Sequence, residues 1–325
     1  MMYNTLVKKI IKKERIMKKI ISLLVAIVLA ATLLVACGGN NTPSEKEYTL
    51  SIGVVVSPNV NSSKVTETVA AIVTDTDGKI VLCRFDCIEY AALDRNGAFV
   101  TTAPASKRAQ GDAYDSYSPM PAGRWYAQVD ALASHIKGMT KTEVASVALD
   151  GGYLTDTDLK AQCSINVADL LGAVDKAFTS KYTTSFKTAG TLTAGIAAIA
   201  TVKDTSTDDA QNATFGVDFA ASVLADGKVV ASILDSTEAK LTNVTADGTD
   251  DIEFLGTKRE RGTEYDAYQP MAAGTWYVQA DAYAKIALGK SASDIDTIAA
   301  EGVAGCTIYA GGYKQVVAAA VKAAK

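Results

Sequence analysis

Two stretches of this chain bring together residue types that can do chemistry. Lys107 to Ala131 reads KRAQGDAYDSYSPMPAGRWYAQVDA, and Lys258 to Ala282 reads KRERGTEYDAYQPMAAGTWYVQADA. They align without a gap and agree at 15 of 25 positions. Both tryptophans of the chain, Trp125 and Trp276, lie inside them. Read as a binding cleft, the first stretch offers the flat rings of Tyr114, Tyr117 and Trp125. Lys107 and Arg108 offer charge to an anionic group, and Gln128 an orienting hydrogen bond. Tyr265, Tyr268, Trp276, Lys258, Arg259 and Gln279 repeat the set. Aromatic walls with a few polar groups are what small-molecule sites use. The same residues also suit a folding nucleus, because large rings bury much apolar area and are costly to lose. The residue types favour that second reading, with the Lys-Arg pair fitting it least well.

Other catalytic chemistry is scarce. The one histidine, His135, faces Ile286 at the matching place, so a Ser/His/Asp triad or a histidine metal site has little to stand on. No Cys-x-x-Cys, phosphate-cradling glycine loop or nucleophile elbow occurs. Acidic clusters at Asp208-Asp209 and Asp247 to Glu253 lack the spacing of calcium loops and read as solvated turns. The chain therefore reads as a binder rather than an enzyme, with no metal and no cofactor required.

Smaller echoes flank the repeated stretches. Asp77-Gly78-Lys79 answers Asp226-Gly227-Lys228, and Cys163-Ser164-Ile165 answers Cys306-Thr307-Ile308. A period of about 145 residues is far longer than a solenoid unit. It points to two tandem homologous domains, residues 48–180 and 191–325, joined by a polar linker at 181–190. Within each, β-rich runs flank an Asp-Gly turn and predict a hairpin. Tyr48 to Val56, Thr66 to Val73 and Lys79 to Ile88 are the expected strands of the first half. Phe219 to Leu224 and Lys228 to Leu234 are those of the second.

Helical periodicity follows, through Trp125, Val129, Leu132 and Ile136, and again through Trp276, Ala280, Tyr283 and Ala287. Gly138 and Gly289 stand where these helices should stop. Thr140 to Glu143 forms a capping-box pattern, and Ser291 to Asp294 stands in its place in the second half. A strand-like turn at each repeated Cys and a closing helix (Val167 to Phe178, Tyr313 to Ala324) complete an α+β pattern of a small antiparallel sheet packed with helices.

The N-terminus is a targeting segment. Met17-Lys18-Lys19 is a positive start, Ile20 to Leu34 is apolar, and a second basic start precedes Met17, leaving Met1 or Met17 as the initiator. Leu34-Val35-Ala36-Cys37 resembles the lipobox of bacterial lipoprotein signal peptides. That resemblance implies cleavage of residues 1–36 and lipidation of Cys37 by acyl chains, palmitate among them. Residues 37–47 become a tether, and the protein becomes an extracellular lipoprotein held at the cell membrane. The segment 1–36 carries seven Lys/Arg and one Glu, so the remainder has 25 basic and 35 acidic residues, a formal net charge of −10. An acidic body repels phosphate backbones and excludes nucleic acid as a partner. The membrane is then reached through the lipid alone.

Four cysteines remain. Cys83 and Cys87 lie four apart in a β-rich run, one face but roughly 13 Å apart, too far to bridge. Cys163 and Cys306 read as small buried hydrophobes.

Two further resemblances bear on function. Exported flavoproteins with an FMN-binding domain attach FMN to a Thr in a motif like S/D-G-A-T-x-T. Asn96 to Thr101 (NGAFVT) is similar in Gly97, Ala98 and Thr101, and differs at the first position and the inner Thr. The resemblance implies FMN on Thr101 and an extracellular redox role. The body of the chain also resembles duplicated surface lipoproteins of anaerobic Gram-positive bacteria, through the DGK hairpin and the Tyr-x-x-x-x-Pro-x-x-x-Gly-x-Trp-Tyr block. That family implies address and architecture and no particular activity. The expected function is a lipid-anchored surface protein binding a small molecule or surface polymer, with a redox or purely structural role as alternatives.

Overall fold

The computed structural model describes residues 44–115, 120–268, 271–308 and 311–325. The signal segment, the lipobox and Cys37 lie outside these residues, as does Tyr117 together with the side chain of Tyr268. Residues 45–325 form one compact unit of mixed helix and sheet.

Two four-stranded antiparallel sheets dominate it. The first contains β1 (Lys46–Asn59), β2 (Lys64–Asp75), β3 (Ile80–Ala91) and β6 (Thr183–Thr188), in the order β3-β2-β1-β6. The second contains β7 (Leu192–Asp204), β8 (Ala213–Ala225), β9 (Lys228–Thr242) and β10 (Asp251–Phe254), in the order β10-β9-β8-β7. Between them in sequence, β4 (Leu149–Asp150) and β5 (Tyr153–Leu154) make a minor hairpin.

Strand alternation sorts the apolar residues into three layers. Leu50, Ile52 and Val54 of β1 face Phe215, Val217, Phe219 and Ala221 of β8 in one apolar layer that draws on both sheets. Tyr90 and Phe215 stack across it, with centroids 5.0 Å apart and planes 10° apart. The opposite faces carry helices. On the first sheet lie α1 (Trp125–His135) and α2 (Ala168–Thr179), covering Ile72, Phe85 and the two strand cysteines. On the second lie α3 (Trp276–Ala284) and α4 (Gly311–Lys322), covering Ala220, Leu224 and Leu234. The layers run helix, sheet, sheet, helix.

Three sequence expectations change here. The halves do not each close their own globule, because the inter-sheet layer is common to both. The linker 181–190 is mostly β6, which pairs with β1 through Lys46↔Thr188 to Ser51↔Thr183. Phe186 is buried there against Tyr48, centroids 5.6 Å apart, and that single apolar side chain docks an otherwise polar strand. The repeated cysteines sit in irregular loop, with no strand character.

Smaller differences follow from context. β1 starts inside the expected tether and runs through Pro58. β6 reaches only Ser51, so β1 has an open edge there that tolerates a residue without an N–H. Thr140 and Glu143 make both bonds of the capping box, whereas Ser291 to Asp294 opens only a short 3₁₀ turn at Ile295–Thr297. The acidic run ending at Glu253 is partly strand, paired through β10.

One close approach recurs. In β1, a Cβ on Gly53 would lie 2.1 Å from the carbonyl oxygen of Ala173 in α2. In β7, a Cβ on Gly195 would lie 2.0 Å from that of Ala320 in α4. Both helices rest their backbone directly on a strand, and only glycine leaves the room.

Candidate functional site

Arg108 and Arg259 organise the two repeated stretches. Each follows an Ncap residue (Ser106 or Thr257) whose side-chain oxygen accepts an N–H of its one-turn helix, Lys107–Gln110 or Lys258–Arg261. Arg108 donates from Nε to the carbonyl of Phe85 at 2.6 Å and from its terminal nitrogen to Asp130 at 2.5 Å. Arg259 does the same to Leu234 at 2.6 Å and Asp281 at 2.6 Å. Their backbone N–H groups donate to Asp86 and Asp235, at 3.2 Å in both cases. Those two aspartates also accept from the next backbone N–H, Cys87 and Ser236, at 2.8 Å. Burial pushes both carboxyls up to about 6, against the pull of these hydrogen bonds and of the arginines.

Gln128 and Gln279 are fully buried, each 0 % exposed. Their amide nitrogens donate to the carbonyls of Gly123 (2.6 Å) and Gly274 (2.8 Å). Their oxygens accept from the N–H groups of Ser164 (2.8 Å) and Thr307 (2.7 Å). Each glutamine thus ties the entry of its helix to the loop at the repeated cysteine, and its own buried amide is satisfied at both ends.

Neither tryptophan ring is open to a ligand. Trp125 is 4 % and Trp276 2 % exposed, each packed into the layer beneath its helices. Trp276 donates from its indole N–H to the Tyr313 hydroxyl at 3.2 Å. The ring faces hold the protein's own lysines. Lys107 Nζ is 4.8 Å from the Tyr114 centroid and 5.6 Å from that of Trp125, and it pairs with Glu89 at 2.6 Å. Lys258 Nζ is 5.2 Å from Tyr265 and 5.5 Å from Trp276. The ring faces offered to a ligand are filled from within.

Open space lies along the seams between the halves, and of the expected site residues that are described, Arg108 and Arg259 line it. The first cleft, about 640 Å³, runs between Arg84, Asp86 and Arg108 on one side and Ile196, Ala198 and the end of α4 on the other. The second, about 300 Å³, is lined by Asp235, Arg259, Gly53 and Tyr182. Tyr182 lies against Tyr277, centroids 5.3 Å apart and planes tilted by 46°, and 5.8 Å from the Arg259 guanidinium carbon. Arg84 donates to the carbonyls of Ala194, at 2.9 Å, and of Lys325. Burial raises the Asp130 carboxyl, but Arg108 and Lys325 outweigh it and hold the group below its ordinary value.

Asp86, Asp235 and Arg84 escaped the sequence reading. The signal was present: each aspartate interrupts a β-branched run eight residues after its Asp-Gly turn glycine.

The remaining candidates fall elsewhere. His135 is exposed at the end of α1. Cys83, Cys87, Cys163 and Cys306 are all free thiols. Burial pushes Cys87 up to about 12 and Cys163 up to about 11, far from the thiolate form that reacts. Asn96 to Thr101 is a loop turned by Asp94, which accepts from the N–H groups of Asn96 and Ala98 at 2.8 Å. Thr101 is exposed there. No family model, curated protein or solved structure matches this chain.

Proposed function

We propose that this is a lipid-anchored protein of the outer cell surface that binds a small molecule without transforming it. The observation that carries the reading is the cleft of about 640 Å³ at the first seam, of a size that holds a small ligand. The polar groups of the repeated stretches are committed to the protein's own atoms. Arg108, Arg259, Gln128 and Gln279 are engaged with backbone atoms and buried carboxylates, so their chemistry maintains the fold. The ligand site accordingly moves from the repeated aromatic blocks to the seam.

The matched bonds made by Arg108 and Arg259, and by the two glutamines, support descent of the halves from one duplicated segment. They belong to partners that interlock rather than to tandem modules. Anchoring rests on Leu34 to Cys37, with the acyl chains holding the acidic body at the membrane.

Two measurements test the proposal. Intact-mass analysis of membrane-extracted protein should show a chain starting at Cys37 and carrying acyl groups, and Cys37→Ser should release it from the membrane fraction. A thermal-shift panel of small metabolites should raise the melting temperature with at least one member. A chain retaining residues 1–36, or a panel without any shift, overturns the corresponding part.

A further inference from the structure

We infer that Asn96 is a site of self-modification, where the chain converts asparagine to aspartate and isoaspartate at a rate that Asp94 restrains. Asn96-Gly97 is the one Asn-Gly pair in the sequence; the other eight asparagines precede Thr, Asn, Val, Ser or Ala. A side chain on the following residue crowds the approach of its main-chain nitrogen to the asparagine Cγ, and glycine has none. Asn96 and Gly97 are both exposed. A Cβ on Gly97 would meet no described atom within 4 Å, so the reacting pair is open to water. Asn166, Asn212 and Asn243, by contrast, are held through their side chains by Gly151, Asn243 and Asp250.

The conversion consumes water alone. The Gly97 nitrogen gives up its proton and attacks Cγ of Asn96. The new C–N bond closes a five-membered succinimide as the bond to the side-chain nitrogen breaks, and ammonia leaves with that proton. Water then opens the ring at either carbonyl. One opening gives aspartate; the other gives isoaspartate, whose main chain runs through Cβ.

The turn itself supplies the brake. The Asp94 carbonyl accepts the Gly97 N–H at 3.0 Å, which occupies the attacking group. The Asp94 carboxylate accepts the N–H groups of Asn96 and Ala98, both at 2.8 Å, and so fixes the turn. The Ala98 and Asn96 bonds hold that carboxyl below its ordinary value, so it is ionised wherever the Gly97 nitrogen can lose its proton. Conversion adds a like charge beside Asp94, and isoaspartate lengthens the turn by one main-chain atom. Asp94, Gly97 and Val100 also line a third cleft of about 640 Å³ with Lys64 and Thr245, and its rim gains that charge.

Incubation of the whole protein at pH 9, followed by anion-exchange chromatography and peptide mapping, tests this. The expected product is a more acidic form whose altered peptide contains residue 96, is a substrate for protein isoaspartyl methyltransferase, and accumulates more slowly at pH 7. Asp94→Ala removes a restraint worth about one hydrogen bond and should speed the conversion roughly threefold or more. Asn96→Gln, which does not close the five-membered ring, should lack the acidic form. An Asn96 that stays intact while other asparagines convert, an acidic form that persists in Asn96→Gln, or a rate unchanged in Asp94→Ala overturns the inference.

Discussion

Thr237 of β9 donates its hydroxyl to the carboxyl of Glu67 on β2 at 2.6 Å, across the layer where the two sheets meet. Glu67 is buried among apolar side chains, and its second oxygen has no hydrogen-bond partner there. Burial, reinforced by Asp235 and Asp218, pushes the carboxyl from 4.5 up to about 8 despite the Thr237 bond. The acid is therefore held in its neutral form at the join between the halves.

A pH dependence follows with a definite sign. The folded state binds this proton more tightly than the unfolded chain, so the stabilisation is complete below about pH 4.5 and is lost as pH rises to about 8. Across that window the Glu67 contribution falls by roughly 1.4 kcal/mol per pH unit. Glu67→Gln, which stays neutral, should remove this slope. Urea denaturation of both proteins at pH 6.5 and pH 8 should show the variant gaining on the parent as pH rises; parallel curves would count against the burial of a neutral acid.

The paired glutamines make a second prediction. Gln128→Leu removes the bonds that the Gly123 carbonyl and the Ser164 N–H make to a buried amide, and Gln279→Leu removes those of Gly274 and Thr307. Each lost bond costs about 0.5–1.5 kcal/mol, so each variant should lose roughly 1–3 kcal/mol in chemical denaturation. Losses under 1 kcal/mol would show that the loops relax to water instead.

Gly53→Ala and Gly195→Ala should be more damaging than an added methyl ordinarily is. The new carbon would meet helix backbone at 2.1 and 2.0 Å, so the helix itself must lift from its sheet. Overpacking alone costs about 1–3 kcal/mol, and a displaced helix places these variants at or above the top of that range. Thermal melting followed by circular dichroism checks the loss.

Trp125→Ala and Trp276→Ala should each cost roughly 3–5 kcal/mol. Because one apolar layer belongs to both halves, the loss should appear as a single earlier transition in calorimetry, not as one half melting ahead of the other. Two resolved peaks would speak for independent halves.

Local elements were legible where sequence signals are local. The Asp-Gly turn, the Trp-bearing helices and the Thr140–Glu143 cap all sit where their patterns placed them. What escaped depends on partners distant in sequence. Thr183–Thr188 is polar except for Phe186, and only pairing with β1 makes it a strand. The apolar run of β8, FGVDFAASVLA, carried a clue to the shared core, since a strand apolar on both faces is covered on both. The seam clefts gather side chains from residue 84 to residue 325, a distance no motif spans. Residue type alone left the aromatic blocks open to two readings, because it does not reveal whether a ring face already holds an internal lysine.

The β6 pairing has a practical consequence for anyone dividing the gene. A polypeptide cut at residue 190 would keep its own four strands yet leave Leu50, Ile52, Val54 and Tyr90 facing water as one greasy plane. Such fragments should clump when expressed singly, and co-expression of the complementary pieces is the route by which they would become soluble.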